Sequence, residues 1–195
     1  ATAQSLADEF GKFAEQQGWT LAWYSVGAEF AAGRPGTSKL QVAEESIVST
    51  ELVTFRGKKF QDVRTARNRA GKEGIRAVWT TWNDAGTMIR SQIRALSEEW
   101  VSDKSLPEMG FTLGNLSTLH DPEVRLMLAL DEHDNLHGVT SWLPVYEDGA
   151  LAGWMLDFMR RDPAGFRPVV EFLIAETLVQ AHEDGLGWIS LSGAP

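Results

Sequence analysis

Eight cationic side chains, Arg56, Lys58, Lys59, Arg64, Arg67, Arg69, Lys72 and Arg76, fall within residues 56–76 beside two acidic ones, Asp62 and Glu73, a local net charge of +6. The chain as a whole carries a formal net charge of −9. A basic stretch in an acidic protein reserves one surface for polyanions while the remainder keeps the molecule in solution. Phe60, Val63, Ala66, Arg67 and Ala70 recur at three- and four-residue steps, which predicts one helix from near Lys58 to a stop at Gly74. Arg64 and Arg67 flank its apolar stripe, whereas Lys58, Arg69 and Lys72 project from the far side. Two uses fit: a phosphate-binding surface, or a solvated helix whose long side chains lie beside a core. Charge alone favours the solvated helix.

Other residue types with chemical potential are weaker candidates. His133 and His137 stand four apart but straddle Asp134-Asn135, a predicted hairpin turn, so no metal site is expected there. Ser190 and Ser192 lack a glycine-flanked elbow and an evident histidine partner, which argues against a serine nucleophile. Trp142 and Trp154 are expected to pack the core. With no cysteine in 195 residues, disulfides and thiolate metal sites are excluded. No apolar run is long enough to span a bilayer, and no signal-peptide pattern opens the chain.

The elements that hold these residues follow from periodicity. Residues 3–17 predict an amphipathic helix with Leu6, Phe10, Phe13 and Ala14 on one side, closed by Gly18. Residues 19–26 predict a strand, Gly33, Pro35 and Gly36 a loop, and 39–43 and 46–50 two short strands before the basic helix. A strand over 75–82 leads to a helix N-capped by Asp84, with Met88, Ile89, Ile93, Leu96 and Trp100 as its stripe and Pro107 closing the region. Strands follow over 124–130, 136–145 and 151–158, the last two joined through Glu147, Asp148 and Gly149. Pro168 fits the first turn of a helix running to about Glu183; Gly185 ends it, and 188–191 returns as a strand.

Three strands, a helix and a strand in that order form the core arrangement of acetyltransferase-like acyltransferases, and the first half is a shorter echo of it. The expected class is therefore α+β, with two acetyltransferase-like (GNAT-type) lobes, both incomplete. The first spans residues 1–82, a linking helix covers 83–104, and the second lobe spans 105–195. A coenzyme A site would need a glycine-rich loop of backbone amides before the second helix. Residues 161–167 instead read Arg-Asp-Pro-Ala-Gly-Phe-Arg, where Pro163 removes one amide. No cofactor is expected. The chain starts inside a helical pattern and stops directly after a strand-like run, so it reads as a piece of something longer.

Several phrases together resemble the catalytic domain of phosphatidylglycerol lysyltransferases, the multiple peptide resistance factor family, and their alanyl-transferring relatives. They are GKKFQDVRTARNRAGKEGI at 57–75, EMGFTLG at 108–114, HGVTSWLPVY at 137–146, GWMLDFMRR at 153–161, GFRPVVEFLIAE at 165–176 and SLSGAP at 190–195. They cover most of the chain from residue 40 onward. The resemblance implies an enzyme that takes an amino acid, lysine in the namesake family, from its transfer RNA ester and places it on the glycerol hydroxyl of phosphatidylglycerol. It implies aminoacyl-tRNA and an anionic phospholipid as partners, and a cytoplasmic domain of a bacterial inner-membrane protein, held to the membrane by other parts of the parent chain. In family members the SLSGAP strand is followed by chain carrying a catalytically implicated lysine, so the activity of this piece alone is left open.

From the family's motif, Asp157 and Arg160 carry over as the catalytic pair. Three positions apart on a regular strand they would face opposite ways, so the strand must end or bulge near Phe158 for both to serve one pocket. The competing reading is a structural ion pair. Glu108 carries over as a carboxylate for the amino acid's ammonium group, or else is a polar loop residue. Arg161 and Arg167 border the 161–167 loop as phosphate ligands or surface charges. Arg64 and Arg67 are the expected contacts to transfer RNA phosphates. Rival functions are a non-catalytic module binding polyanions, transfer RNA or anionic lipid, and an acyltransferase with another acceptor.

Overall fold

The computed structural model describes residues 3–34, 36–102 and 114–194. They belong to two units, residues 1–42 and 43–195. In the first, helix α1 (Ala3–Gln16) ends before Gly18, whose φ of +69° lets the chain turn away. Ala7 and Ala14 are buried, but Leu6, Phe10 and Phe13 stay about half exposed. The strand predicted at 19–26 does not form. Among the described residues no strand lies beside it to take its backbone groups, and its aromatic side chains lie against the helix instead. Trp23 meets Phe10 edge-on at 6.0 Å, and Trp19 meets Phe13 at 5.7 Å. A short helix α2 (Ala28–Ala32), not predicted, carries Phe30 to Trp23. Arg34 covers both rings at 4.8 and 4.6 Å and pairs with Asp8 at 3.2 Å.

The second unit is built on one mixed sheet in the order β1-β6-β5-β4-β3-β2. Its strands are β1 (Glu44–Ser49), β2 (Arg76–Thr80), β3 (Arg125–Leu130), β4 (Leu136–Glu147), β5 (Ala150–Arg161) and β6 (Trp188–Ala194). The strand predicted at 39–43 is absent, and pairing begins at Glu44 opposite Ala194. All neighbours are antiparallel except β5 and β6, which run parallel and are joined through helix α5 (Val169–Glu183). The strand, strand, strand, helix, strand order is thus realised, and the class is α+β with an acetyltransferase-like core. Strands from both expected lobes contribute to this one sheet.

The β3 sequence Arg-Leu-Met-Leu-Ala-Leu is apolar nearly throughout because both sheet faces are covered. Met127 and Ala129 join the cluster under α5, together with Trp142, Trp154, Leu173 and Ile189. Leu126, Leu128 and Leu130 join the opposite cluster, with Ile89 and Ile93 of helix α4 (Thr87–Ser102) and Phe158. Asp84 does not cap α4. It closes the preceding turn, where its carboxylate accepts from Thr81 Oγ1 at 2.7 Å, and Met88 is exposed rather than part of the stripe. The basic helix α3 (Gln61–Lys72) follows a short 3₁₀ turn at Lys58–Phe60 and packs Ala66 and Ala70 under α5. Asp148 and Gly149, with φ of +50° and +81°, make the tight β4–β5 turn that their residue types predict.

Candidate active site

Strand β5 breaks register with β4 twice, at Ala152 near its start and at Asp157. Opposite the latter, Trp142 pairs with Leu156 and Ser141 with Phe158, so Asp157 has no partner of its own on β4. The Phe158 N–H donates to the Ser141 hydroxyl at 3.1 Å, which stands in for a ladder bond. An extra residue reverses the facing of everything after it. Trp154 lies in the cluster under α5, yet Phe158, four residues on, lies in the cluster under α4; without a bulge they would share a face. Arg160 follows Phe158 to the α4 side, where its guanidinium sits 3.8 Å from the Trp100 ring centroid and 4.2 Å from that of Phe158. Asp157 meets the 114–118 loop on that side, accepting from Thr118 Oγ1 at 3.1 Å, next to Leu119 of the same cluster. The bulge that the sequence required near Phe158 is therefore present, one residue earlier, and it turns Asp157 and Arg160 to one face.

Burial raises the Asp157 carboxyl above the usual carboxylate range, and the Thr118 hydrogen bond partly offsets this. Gly114 is flush against the same group: a Cβ there would fall 2.6 Å from Asp157 Cγ and 2.7 Å from its carbonyl oxygen. Since the strand's main chain cannot retreat as a side-chain tip can, Gly114→Ala is expected to displace Asp157. The check is the NMR resonance of the Asp157 carboxyl carbon, expected to shift while the far-ultraviolet circular dichroism spectrum stays unchanged. Immediately beyond, β5 and β6 part. Their pairing ends at Met155 and Ser190, and Ser192, with φ of +64°, reaches back with its hydroxyl to the Leu156 carbonyl. Ser190 is fully buried and donates to Glu45 at 2.6 Å. Both serines are engaged in holding strands.

The remaining sequence candidates are scattered. Glu108 lies outside the described residues. Arg64 donates to the carbonyls of Phe55 and, at 2.8 Å, Gly57, and Arg67 pairs with Glu176 of α5 at 2.6 Å, so both fasten α3 to its surroundings. The exposed cations of that stretch are Arg56, Lys58, Lys59, Arg69, Lys72 and Arg76. Arg167 lines an open cavity between α3 and α5 with Asp62, Thr65, Arg69 and Glu171, whereas Arg161, exposed at the end of β5, does not.

The loop at 161–167 keeps its amides for itself. Asp162 N–H donates to the His137 carbonyl at 2.9 Å, and the amides of Ala164 and Gly165 turn in on Asp162. Phe166 N–H donates to His137 Nδ1 at 3.0 Å. With Pro163 lacking a donor as well, little is left to cradle a pyrophosphate. His137 is thus a loop fastener. Asp131 organises the turn before it: hydrogen bonds from Asn135 and His133 hold its carboxyl at about 2. Among the described residues no cluster of three potential metal ligands occurs, and no helix is long and apolar enough to cross a membrane. Sequence reasoning did not find Thr118, Gly114 or Ser141.

The profile of the family described as phosphatidylglycerol lysyltransferase, C-terminal, matches residues 1–195. The chain belongs to that family. The match includes the first 38 residues, where the quoted motifs did not reach. An uncharacterised protein of Corynebacterium glutamicum is 57% identical over 192 residues, covering 97% of this chain and 24% of that protein. The lysylphosphatidylglycerol biosynthesis bifunctional protein LysX of Nocardia farcinica is 28% identical over 189 residues, covering 96% of the chain and 16% of LysX. The chain thus spans about a quarter or less of the length of these two relatives. The structure of L-PGS from Bacillus licheniformis superposes with a TM-score of 0.84 at 23% identity, over 98% of this chain and 58% of that one. The C-terminal domain of a putative lysylphosphatidylglycerol synthetase from Agrobacterium fabrum superposes with a TM-score of 0.81 at 18% identity, over 98% and 60%. These two likenesses establish the fold.

Proposed function

We propose that this domain transfers lysine from lysyl-tRNA to the glycerol hydroxyl of phosphatidylglycerol. What supports the reading most is the bulge that turns Asp157 and Arg160 to one face, inside a chain of the phosphatidylglycerol lysyltransferase family. Asp157 accepts the proton of the attacking lipid hydroxyl as its oxygen bonds to the ester carbonyl. The tetrahedral intermediate then expels the ribose oxygen, which takes the proton back from Asp157. Arg160, buried and fixed against Trp100, supplies positive potential for the oxyanion without reorganising. A division into acyltransferase-like lobes at residues 82 and 105, with α4 as the link, belongs to the same reading.

The experiment is direct. Full-length protein, lysyl-tRNA carrying labelled lysine and phosphatidylglycerol vesicles are expected to yield labelled lipid. No labelled lipid, with the charged tRNA intact, would remove the assignment.

Transfer RNA phosphates meet the exposed lysines of the basic stretch, since Arg64 and Arg67 are engaged within the fold. Replacing Lys58, Lys59 and Lys72 by Glu is expected to weaken tRNA binding and flatten its salt dependence by about one in log–log slope per phosphate contact removed. Filter binding across a salt series reads both, and an unchanged slope would take the segment out of tRNA contact.

A further inference from the structure

The hydroxyl of Thr118 has one proton and two acceptors. Its Oγ1 lies 2.8 Å from the Asn115 carbonyl oxygen and 3.1 Å from Asp157 Oδ2. Donation to one leaves the other oxygen–oxygen contact without a proton unless a second is present, and the atom that can carry it is the Asp157 carboxyl; the Asn115 carbonyl accepts in either case from the Thr118 N–H at 3.2 Å. With that proton in place the bonds run in one direction, from Asp157 to Thr118 and from Thr118 to Asn115. When Asp157 is ionised, the hydroxyl must swing back to the carboxylate.

We propose that Thr118 is a positioning residue whose hydroxyl turns with the protonation state of Asp157, donating to the carboxylate when it is ionised and to the Asn115 carbonyl when Asp157 holds a proton. This rests on the role given to Asp157 above. In that reaction the proton moves from the lipid hydroxyl to Asp157 and on to the departing ribose oxygen; Thr118 gives up none and only reorients. The value of such a partner is that both states of the carboxyl are hydrogen-bonded at the same position, so the group need not move as it gains and loses its proton. Gly114 and the bulge hold the carboxyl there from two other sides.

The neighbouring elements bring little competing charge among the described residues. The 114–118 loop has no ionisable side chain. Strand β4 faces the bulge with Ser141 and Trp142, β6 reaches the adjoining carbonyl with Ser192, and α4 presents Trp100, stacked on Arg160 of β5 itself.

Carbon-detected NMR titration of the aspartate carboxyls in the 195-residue chain tests the arrangement without substrate, with Asp157→Asn identifying the resonance. Thr118→Val, which keeps the shape and removes the hydroxyl, is expected to shift the Asp157 midpoint upward, because of the two bonds lost the one to the ionised carboxylate is the stronger. Thr118→Ser is expected to restore the wild-type midpoint. An unmoved midpoint in the valine variant, with a native amide spectrum, overturns the proposal, as does a serine variant that behaves like valine. If Thr118→Val does not fold, Thr118→Ala replaces it with the same expected shift. In the full-length enzyme the acid limb of the pH–rate profile should move upward with the midpoint. A moved midpoint in a protein that makes no aminoacylated lipid would uphold the hydroxyl's role and remove the proposed function.

Discussion

Asp157→Asn in the full-length protein is expected to lower the rate of lipid aminoacylation by roughly 10²- to 10⁴-fold, the usual cost of removing a positioned general base. The amide keeps the size of the carboxyl and fills the same space beside Gly114, so the bulge and its Ser141 bond are retained. Stability moves the other way. Burial raises the folded-state pKa of Asp157 above its unfolded value, so its contribution is favourable below the unfolded pKa and is lost as pH rises through the folded one. Asparagine never carries the disfavoured charge, and the variant is expected to melt at or above the wild-type temperature at neutral pH. Wild-type activity should rise with pH through a midpoint above the ordinary carboxylate range. Near wild-type turnover in the asparagine variant would take Asp157 out of the chemistry.

Phe158→Ala carries the largest expected effect on stability, a loss of about 3–5 kcal/mol. The ring is fully buried in the cluster under α4 and lies 4.2 Å from the Arg160 guanidinium. Truncation opens a cavity in that cluster and removes one of the two rings between which Arg160 is held. For a chain of this size the melting temperature should fall by roughly 10 °C, measurable by calorimetry or circular dichroism. Activity should fall further than stability explains, because Arg160 is no longer fixed. A melting temperature within a degree or two of wild type would mean that Phe158 is not in the core, and hence that the strand does not bulge at Asp157.

The regular elements of the second unit were legible because local pattern and tertiary need coincide there. The apolar run at 125–130 fits a strand covered on both faces, Asp148-Gly149 fits a two-residue turn, and Gly74 and Gly185 end their helices with positive φ. Residues 19–26 misled because Trp19, Trp23 and Tyr24 have the composition of a strand whether or not a partner exists. Asp84 misled because a carboxylate caps a turn as readily as a helix. Arg64 and Arg67 look alike in sequence to the exposed lysines around them, and only the fold aims them at the Phe55 and Gly57 carbonyls and at Glu176.

By itself the sequence determined the family, the order of strands and helices from β1 onward, and the condition that Asp157 and Arg160 could share a site only across a break in strand alternation. These follow from residue identities and short spacings, which the chain carries before it folds. The tertiary structure decided where the break falls. A bulge is the registration of one strand on another, set by Ser141 and Trp142 on β4, and has no signature within β5 alone. It also decided what surrounds the carboxyl. Thr118 lies 39 residues from Asp157 in the chain, and nothing in either local sequence predicts that one hydroxyl will stand between that carboxyl and the Asn115 carbonyl.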